Sequence, residues 1–335
     1  MAITVKFRGV RGSIPTPLSG KQVQNKQAAN FADYICRWRR SQPSHLQDDY
    51  QAFLATLPFW RTSTYGGNTS CVEVVFDTVR FVLDMGTGLI QIGKELFPKM
   101  KEEGGLEIYF LLSHVHWDHI QGLPFFAPIY ANKADGDLNT WHIYGGTNWQ
   151  ATAETCLAGQ MDPPKFPVSW KEIDARTHQL DLQSVFDGKQ FNVGPVSIRA
   201  RRLNHPQETY GWRFEYDGKV VAYTTDNEQF NPDKPDPPLV KLAENADVWI
   251  NDTQYLEQEY DHELVSRHGW GHSHTRATAV AGVKAGVKNI FTFHHDPGHD
   301  DETIYNMQLD TQRHVHNLGG TSVVTAAHEG LEVTL

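Results

Sequence analysis

The chain has 335 residues, 39% hydrophobic and nine of them Trp, enough apolar material for one large core or two small ones. Its formal charge of −10 argues against the broad basic footprint that long nucleic acid needs. Three cysteines, Cys36, Cys71 and Cys156, with no Cys-x-x-Cys pair, make neither a disulfide framework nor a zinc knuckle and fit a reducing cytoplasm, and no apolar run approaches the length of a membrane span.

Met1 to Phe7 reads as a strand rather than a signal peptide. It runs into Gly9-Val10-Arg11-Gly12-Ser13, and Pro15 and Pro17 then break it. From about 21 to 57 the character changes to helix, with Phe31, Tyr34, Ile35 and Trp38 recurring on one face and a second short helix over Asp48 to Leu57. Because it separates two β-rich regions, this stretch reads as an insertion whose default role is surface decoration. The turn Tyr65 to Cys71 leads into strands at Val72 to Phe76 and Arg80 to Leu83, then Asp84 and a helix over Leu89 to Lys101. The apolar run Leu106 to Leu112 predicts a buried strand.

The loop after that strand is His114-Val115-His116-Trp117-Asp118-His119. Residues two apart share a face in an extended stretch, so His114 and His116 can meet one ion, and the following turn can aim Asp118 and His119 at a second. Imidazole with carboxylate is a donor set that suits zinc and its neighbours. Seventeen histidines make some clustering expected; this spacing directly after an apolar strand is far more specific.

Residues 120 to 176 read as loops with Pro and aromatics. Phe191 to Leu203 reads as strands around Gly194-Pro195, delivering His205. Tyr210 to Tyr216 and Lys219 to Thr224 flank the hairpin signal Asp217-Gly218, delivering Asp226. A strand over Ala246 to Ile250 delivers Asp252, a helix is expected over Thr275 to Ala285, and a strand over Asn289 to Phe293 delivers His294. Val323 to Thr325 and Leu331 to Leu335 close the sheets. Six strand endings thus carry a ligand-competent residue: Asp84, His114, His205, Asp226, Asp252 and His294. Strand ends converging on one rim are where sites form.

On these motifs the chain resembles the metallo-β-lactamase fold hydrolases, in the ribonuclease Z and cyclic-nucleotide phosphodiesterase branch. The resemblance rests on His114, His116, Asp118 and His119, then His205, Asp226 and His294 in the family's order, with Gly271-His272-Ser273 ahead of the last. It implies an α/β (α+β) chain built as a four-layer αβ/βα sandwich, here a single domain over 1–335 with the helical insertion near the N-terminus. It implies two divalent ions, Zn2+ first, with Mn2+ or Fe2+ the other candidates. One ion falls to His114, His116 and His205 and the other to Asp118, His119 and His294, with Asp226 bridging. His294 rather than the adjacent His295 is the expected ligand, because it ends the strand directly.

The expected activity is hydrolysis of cyclic nucleotides or other small phosphodiesters through a metal-bridging hydroxide. Asp118 and Asp226 would orient that nucleophile, and His272 would protonate the leaving group or grip a phosphate oxygen. Asp84 and Asp252 are expected to hold ligand imidazoles by their ring N–H groups. Asn68 and Arg11 are candidate anion contacts, and His295 would support the ligands or face the substrate. The alternatives are a thioester or lactone hydrolase on the same ions and a non-catalytic metal-binding member. The expected partner is a small anionic phosphodiester or nucleotide, with neither membrane nor long nucleic acid; a homodimer is compatible with the chain, and the expected location is the cytoplasm.

Overall fold

The structure, a computed structural model, describes residues 2–42, 45–100, 105–131 and 139–335; side chains at 174–179 also stand outside that description. Two seven-stranded sheets form the centre. The first holds β1 (Ile3–Gly9), β2 (Cys71–Phe76), β3 (Val79–Leu83), β4 (Glu107–Leu111), β5 (Asn139–Gly145), β6 (His178–Ser184) and β14 (Glu332–Thr334), in the order β14-β1-β2-β3-β4-β5-β6. The second holds β7 (Gln190–Val193), β8 (Val196–Leu203), β9 (Thr209–Tyr216), β10 (Lys219–Thr224), β11 (Val248–Asp252), β12 (Asn289–Phe293) and β13 (Val323–Ala326), in the order β13-β12-β11-β10-β9-β8-β7. Each sheet is antiparallel in one half and parallel in the other, β3 to β6 and β10 to β13 being the parallel runs.

Alternation along the strands decides which side chains meet between the sheets. Ile3, Val5 and Phe7 of β1 point inward with Val72, Val74 and Phe76 of β2, and meet Trp212 and Phe214 of β9 and Phe291 and Phe293 of the second sheet. Phe7 packs against Phe291 at 5.3 Å between ring centroids. The outer face of the first sheet is covered by α4 (Leu89–Leu96), α5 (Trp149–Ala153) and α6 (Trp170–Thr177), over Val82, Phe110 and Trp141. The outer face of the second lies under α7 (Pro237–Ala243), α9 (Thr275–Ala285) and α10 (Asp301–Asn317), over Ala222, Trp249 and Ile290. Helix, sheet, sheet, helix is the expected four-layer sandwich.

Between β1 and β2 the helices α1 (Gly20–Ser41) and α2 (Leu46–Leu54) occur where helix was expected, with residues 43 and 44 outside the described set, and a short α3 (Phe59–Thr62) follows beyond the expected stretch. Tyr34 packs on Tyr50 and Phe53 of α2, whereas Phe31 is exposed. Lys26 ties α1 to Asp301 at the start of α10. The short α8 (Glu257–Tyr260) lies in the loop after β11. Among the described residues no helix is long and apolar enough to cross a membrane.

Three expectations need correction. The stretch 120 to 176 contains a strand, β5, and two helices. In β5, Trp141 and Ile143 pack outward and Tyr144 inward, and a strand covered on both faces loses the simple alternation that advertises a strand. The helix from Leu89 stops being α-helical at Leu96, where Phe97–Lys99 tightens into a 3-10 turn around Pro98; its expected end at Lys101 is outside the described residues. The helix α10 was not anticipated, although Ile304, Met307, Thr311 and Val315 recur on one buried face behind the N-cap Asp300.

Candidate metal centre

The parallel strands β3, β4, β10, β11 and β12 all end on the same edge, and β1 and β8 run in register with them through antiparallel neighbours. The loops leaving these ends carry the candidate residues. Asp84, Asp226 and His294 leave their strands with φ of 59°, 49° and 63°. Non-glycine residues seldom adopt this left-handed conformation, and it persists where surrounding packing over-determines it. Here the reversal swings each side chain across the sheet edge. Trp117–His119 forms a single 3-10 turn, which brings Asp118 and His119 in behind His114 and His116.

One group joins His114, His116, His205 and Asp226, and a second joins Asp118, His119 and His294, ligand atoms within each lying within 4.8 Å of one another. Asp226 links them. Its Oδ1 is 3.3 Å from both His119 Nε2 and His294 Nε2, while Oδ2 is 3.7 Å from His114 Nε2. A third group, Asp226, Asp252, His272 and His294, overlaps the others and was not anticipated. The Nε2 atoms of His114 and His119 are buried with no hydrogen-bond partner. Buried polar atoms are nearly always paired. Unpaired imidazole nitrogens facing carboxylates are what a divalent ion satisfies, so the residues fit such an ion.

Burial lowers His114, helped by the neighbouring His119, and it also lowers His116 and His205, which favours the neutral imidazole that binds metal. For His119 burial is outweighed: Asp118, Asp226 and Asp84 push it well above the usual histidine value. Burial would raise Asp118 and Asp226, but the facing imidazoles, His119 and His294 for both, hold them well below the carboxylate range.

Asp84 is fully buried and accepts from His119 Nδ1 at 2.8 Å, Ser113 N–H at 2.7 Å, the Ser113 hydroxyl at 2.8 Å and the Tyr223 hydroxyl at 2.7 Å. Asp252 accepts from His272 Nδ1 at 2.7 Å; its approach to His294 Nδ1, 3.7 Å, is too long for a hydrogen bond. His294 Nδ1 lies 3.3 Å from Gln254 Oε1 instead. His205 donates from Nδ1 to the Gly271 carbonyl at 3.0 Å. Burial would lower His272, but the charge and hydrogen bond of Asp252 raise it to about 9.

Three candidates turn away from the centre. Arg11 is buried and donates to the carbonyls of Gly66, Asp296 and His299, with the Asp301 carboxylate 3.9 Å from Nη2, so its guanidinium ties the turn at Gly66 to the loop after β12 rather than facing the donor groups. Asn68 is held by Glu329 through both its backbone and side-chain N–H. His295 donates from Nε2 to the Ala327 carbonyl at 2.9 Å, and burial drives its pKa down to about 3. The chain reverses at His294, whose ring turns to the donors, while the ring of His295 is held against Ala327.

Other supporting contacts were not foreseen. Ser13, at φ 63°, donates its backbone N–H to Asp118 Oδ2 at 2.7 Å. A side chain at Gly12 would sit 2.6 Å from the His294 ring, and one at Gly271, where φ is +88°, would sit 2.1 Å from His205 Nδ1. Buried Glu228 accepts from the Tyr260 hydroxyl and from Gly269 and Gly271 N–H, clamping the loop that carries His272. Gly9-Val10-Arg11-Gly12-Ser13 carried a signal in its glycines; Glu228 carried none.

Two mixed sheets flanked by helices, with imidazole and carboxylate donors along one edge, define the class: the metallo-β-lactamase α/β sandwich, a fold of metal-dependent hydrolases. A family model for the beta-lactamase superfamily domain matches residues 80–295, and the chain belongs to that family. It is 25% identical over 228 residues to ribonuclease BN of Proteus mirabilis, covering 55% of this chain and 69% of that protein. The metallo-beta-lactamase fold protein YhfI from Bacillus subtilis superposes with a TM-score of 0.60 at 14% identity, over 100% of this chain and 99% of that one. The short form of human tRNase Z gives 0.55 at 14% identity, over 98% of each chain. At such identities the superpositions speak for the fold.

Proposed function

We propose that this chain is a dinuclear metal-dependent phosphodiesterase acting on cyclic nucleotides or other small phosphodiesters, and that 1–335 is one catalytic domain carrying an insertion at about 21–57. The observation that carries the reading is Asp226, whose two oxygens face different donor groups. His114, His116 and His205 would hold one ion, and Asp118, His119 and His294 the other, with Asp226 shared. The ions, zinc first on this donor set and Mn2+ or Fe2+ otherwise, would supply Lewis-acid polarisation of a phosphoryl oxygen and a nucleophile at neutral pH.

The protein's own groups do the rest. Ser13 N–H fixes one oxygen of Asp118, leaving the carboxylate a single way to face the donors. Asp252 holds the Nδ1 proton of His272 and, against the effect of burial, favours its imidazolium, so Nε2–H is the acid that protonates the departing alkoxide. The kinship with ribonuclease BN supports phosphodiester chemistry, and the net charge of −10 favours a small anionic substrate over long nucleic acid. Cysteine usage favours the cytoplasm.

The test is Asp118→Ala. Hydrolysis of bis-p-nitrophenyl phosphate should disappear while the circular dichroism spectrum is retained. Turnover at the wild-type rate would refute the reading, and so would wild-type protein that cleaves a thioester panel but not the phosphodiester. Metal analysis should return two equivalents per chain.

A further inference from the structure

Beside the donor loop lies a cavity of about 700 Å3 that the proposed chemistry leaves unused. One wall is the donor loop itself, with Val115 and Trp117 between the donors His114, His116 and Asp118, and Ile120 and Gln121 just after His119. The far wall comes from the segment after β5, with Cys156, Gln160, Lys165 and Phe166, and Phe125 stands between the two. The volume falls in the range of small-molecule sites, roughly 300–1,000 Å3.

Its chemistry is mixed in a particular way. Trp117 is 72% exposed and Phe125 58%, so both rings are open to a ligand. Phe125 and Phe166 meet edge to face at 5.7 Å. The amide nitrogens of Gln121 and Gln160 are engaged by Thr69 Oγ1 at 3.1 Å and the Ile120 carbonyl at 3.2 Å, which leaves both amide oxygens as acceptors. The Lys165 ammonium meets the Gly159 carbonyl. An acyl chain would fill the apolar walls and leave these polar groups without a use. A planar heterocycle uses both, since it stacks on aromatic faces and donates ring or exocyclic N–H to amide oxygens.

We infer that this cavity receives the nucleobase of a nucleotide substrate, stacked against Trp117 and the Phe125–Phe166 pair, while the phosphodiester lies at the donor groups. The inference rests on the phosphodiesterase reading and names its substrate class.

The test compares thymidine 5′-(p-nitrophenyl phosphate) with methyl p-nitrophenyl phosphate. The two share a leaving group and a reacting centre and differ in the nucleoside. Cys156→Trp, which fills the cavity from its far wall, and Phe166→Ala, which removes a stacking face, should each lower the thymidine-to-methyl ratio of kcat/KM by at least about tenfold. Cys156→Ser should keep the ratio. Equal losses on both esters, or an unchanged ratio, overturn the inference and leave the phosphodiesterase reading standing. If wild-type protein cleaves neither ester, that reading fails, and the cavity is judged by alkylation instead. In a Cys36→Ser background, with Cys71 fully buried, millimolar thymidine 5′-monophosphate should slow alkylation of Cys156; an unchanged rate overturns the inference.

Discussion

Asp84 gives the sharpest test of how the donors are held. Its carboxylate takes four hydrogen bonds in a fully buried position, from His119 Nδ1, both donors of Ser113 and the Tyr223 hydroxyl. Truncation to Ala would leave four donors unpaired at about 1–3 kcal/mol each, a loss comparable with the whole stability of many domains. Asp84→Asn is therefore the informative variant. Asn keeps one oxygen, which Ser113 N–H can retain; of the two N–H groups that replace the other oxygen, one can be taken by a hydroxyl that rotates to accept it, and the second faces His119. His119 has no such freedom. Facing an NH2 group, its Nδ1 must become the acceptor, and the ring proton moves to Nε2, the atom proposed to bind metal. The fold should lose only about 1.5–3 kcal/mol, the worth of a charge-assisted bond. Affinity for the ion that His119 would share with Asp118 and His294 should fall about 10–100-fold. Zinc titration against a competing chelator, with metal counting by mass spectrometry, measures this. Two equivalents bound at wild-type affinity would refute the argument that Asp84 sets the tautomer.

Because His119 sits well above its ordinary value of 6.5, a proton occupies it at neutral pH and must leave when metal binds; zinc affinity should rise by up to about tenfold per pH unit below its pKa, and a pH-independent affinity would contradict this. Without metal, the same pairing stabilises the fold fully only between the unfolded values, above 3.8 for Asp118 and Asp226 and below 6.5 for His119. It is lost as pH falls through the depressed carboxylates or rises through the raised histidine, so chelated protein should melt highest inside that window. His272→Ala should slow alkyl phosphodiesters more than nitrophenyl ones, and equal slowing would argue against proton donation. Gly271→Ala forces a side chain to 2.1 Å from His205 Nδ1 at φ +88° and should reduce bound metal by one equivalent. Glu228→Gln sets an amide against Gly269 or Gly271 N–H and should speed hydrogen exchange over 256–271; unchanged exchange would show that the clamp is dispensable.

What could be read from the chain, and what could not, divides on locality. The donors from His114 to His119 were legible because they sit on one loop, where spacing alone fixes which can share an ion. His205, Asp226 and His294 were legible as strand endings, since parallel strands of one sheet end on one edge and hydrophobic runs reveal where a strand stops. The helix over Thr275–Ala285 and the strand over Asn289–Phe293 match their expected bounds for the same reason. Arg11 was not legible: a guanidinium that faces a substrate anion and one that caps three carbonyls belong to the same sequence, and only the fold of Gly66 and 296–299 around the loop after β1 separates them. Glu228, two residues past Asp226, acquires its clamp only because the loop to Gly271 folds back over it. The helix α10 hid behind its polar residues, although its buried face kept helical spacing.

The direction of the donors was the least legible property. A residue following a strand can continue extended or reverse into the left-handed region, which Asp and His enter more readily than most side chains but still seldom, so their presence alone does not announce the reversal. Asp84, Asp226 and His294 all reverse. Each does so where a fixed partner waits: Ser113 and Tyr223 for Asp84, His119 for Asp226, Asp118 for His294. The backbone conformation is therefore a consequence of the assembled edge. A donor transplanted with its strand but without those partners should relax to the extended form and point away from the centre.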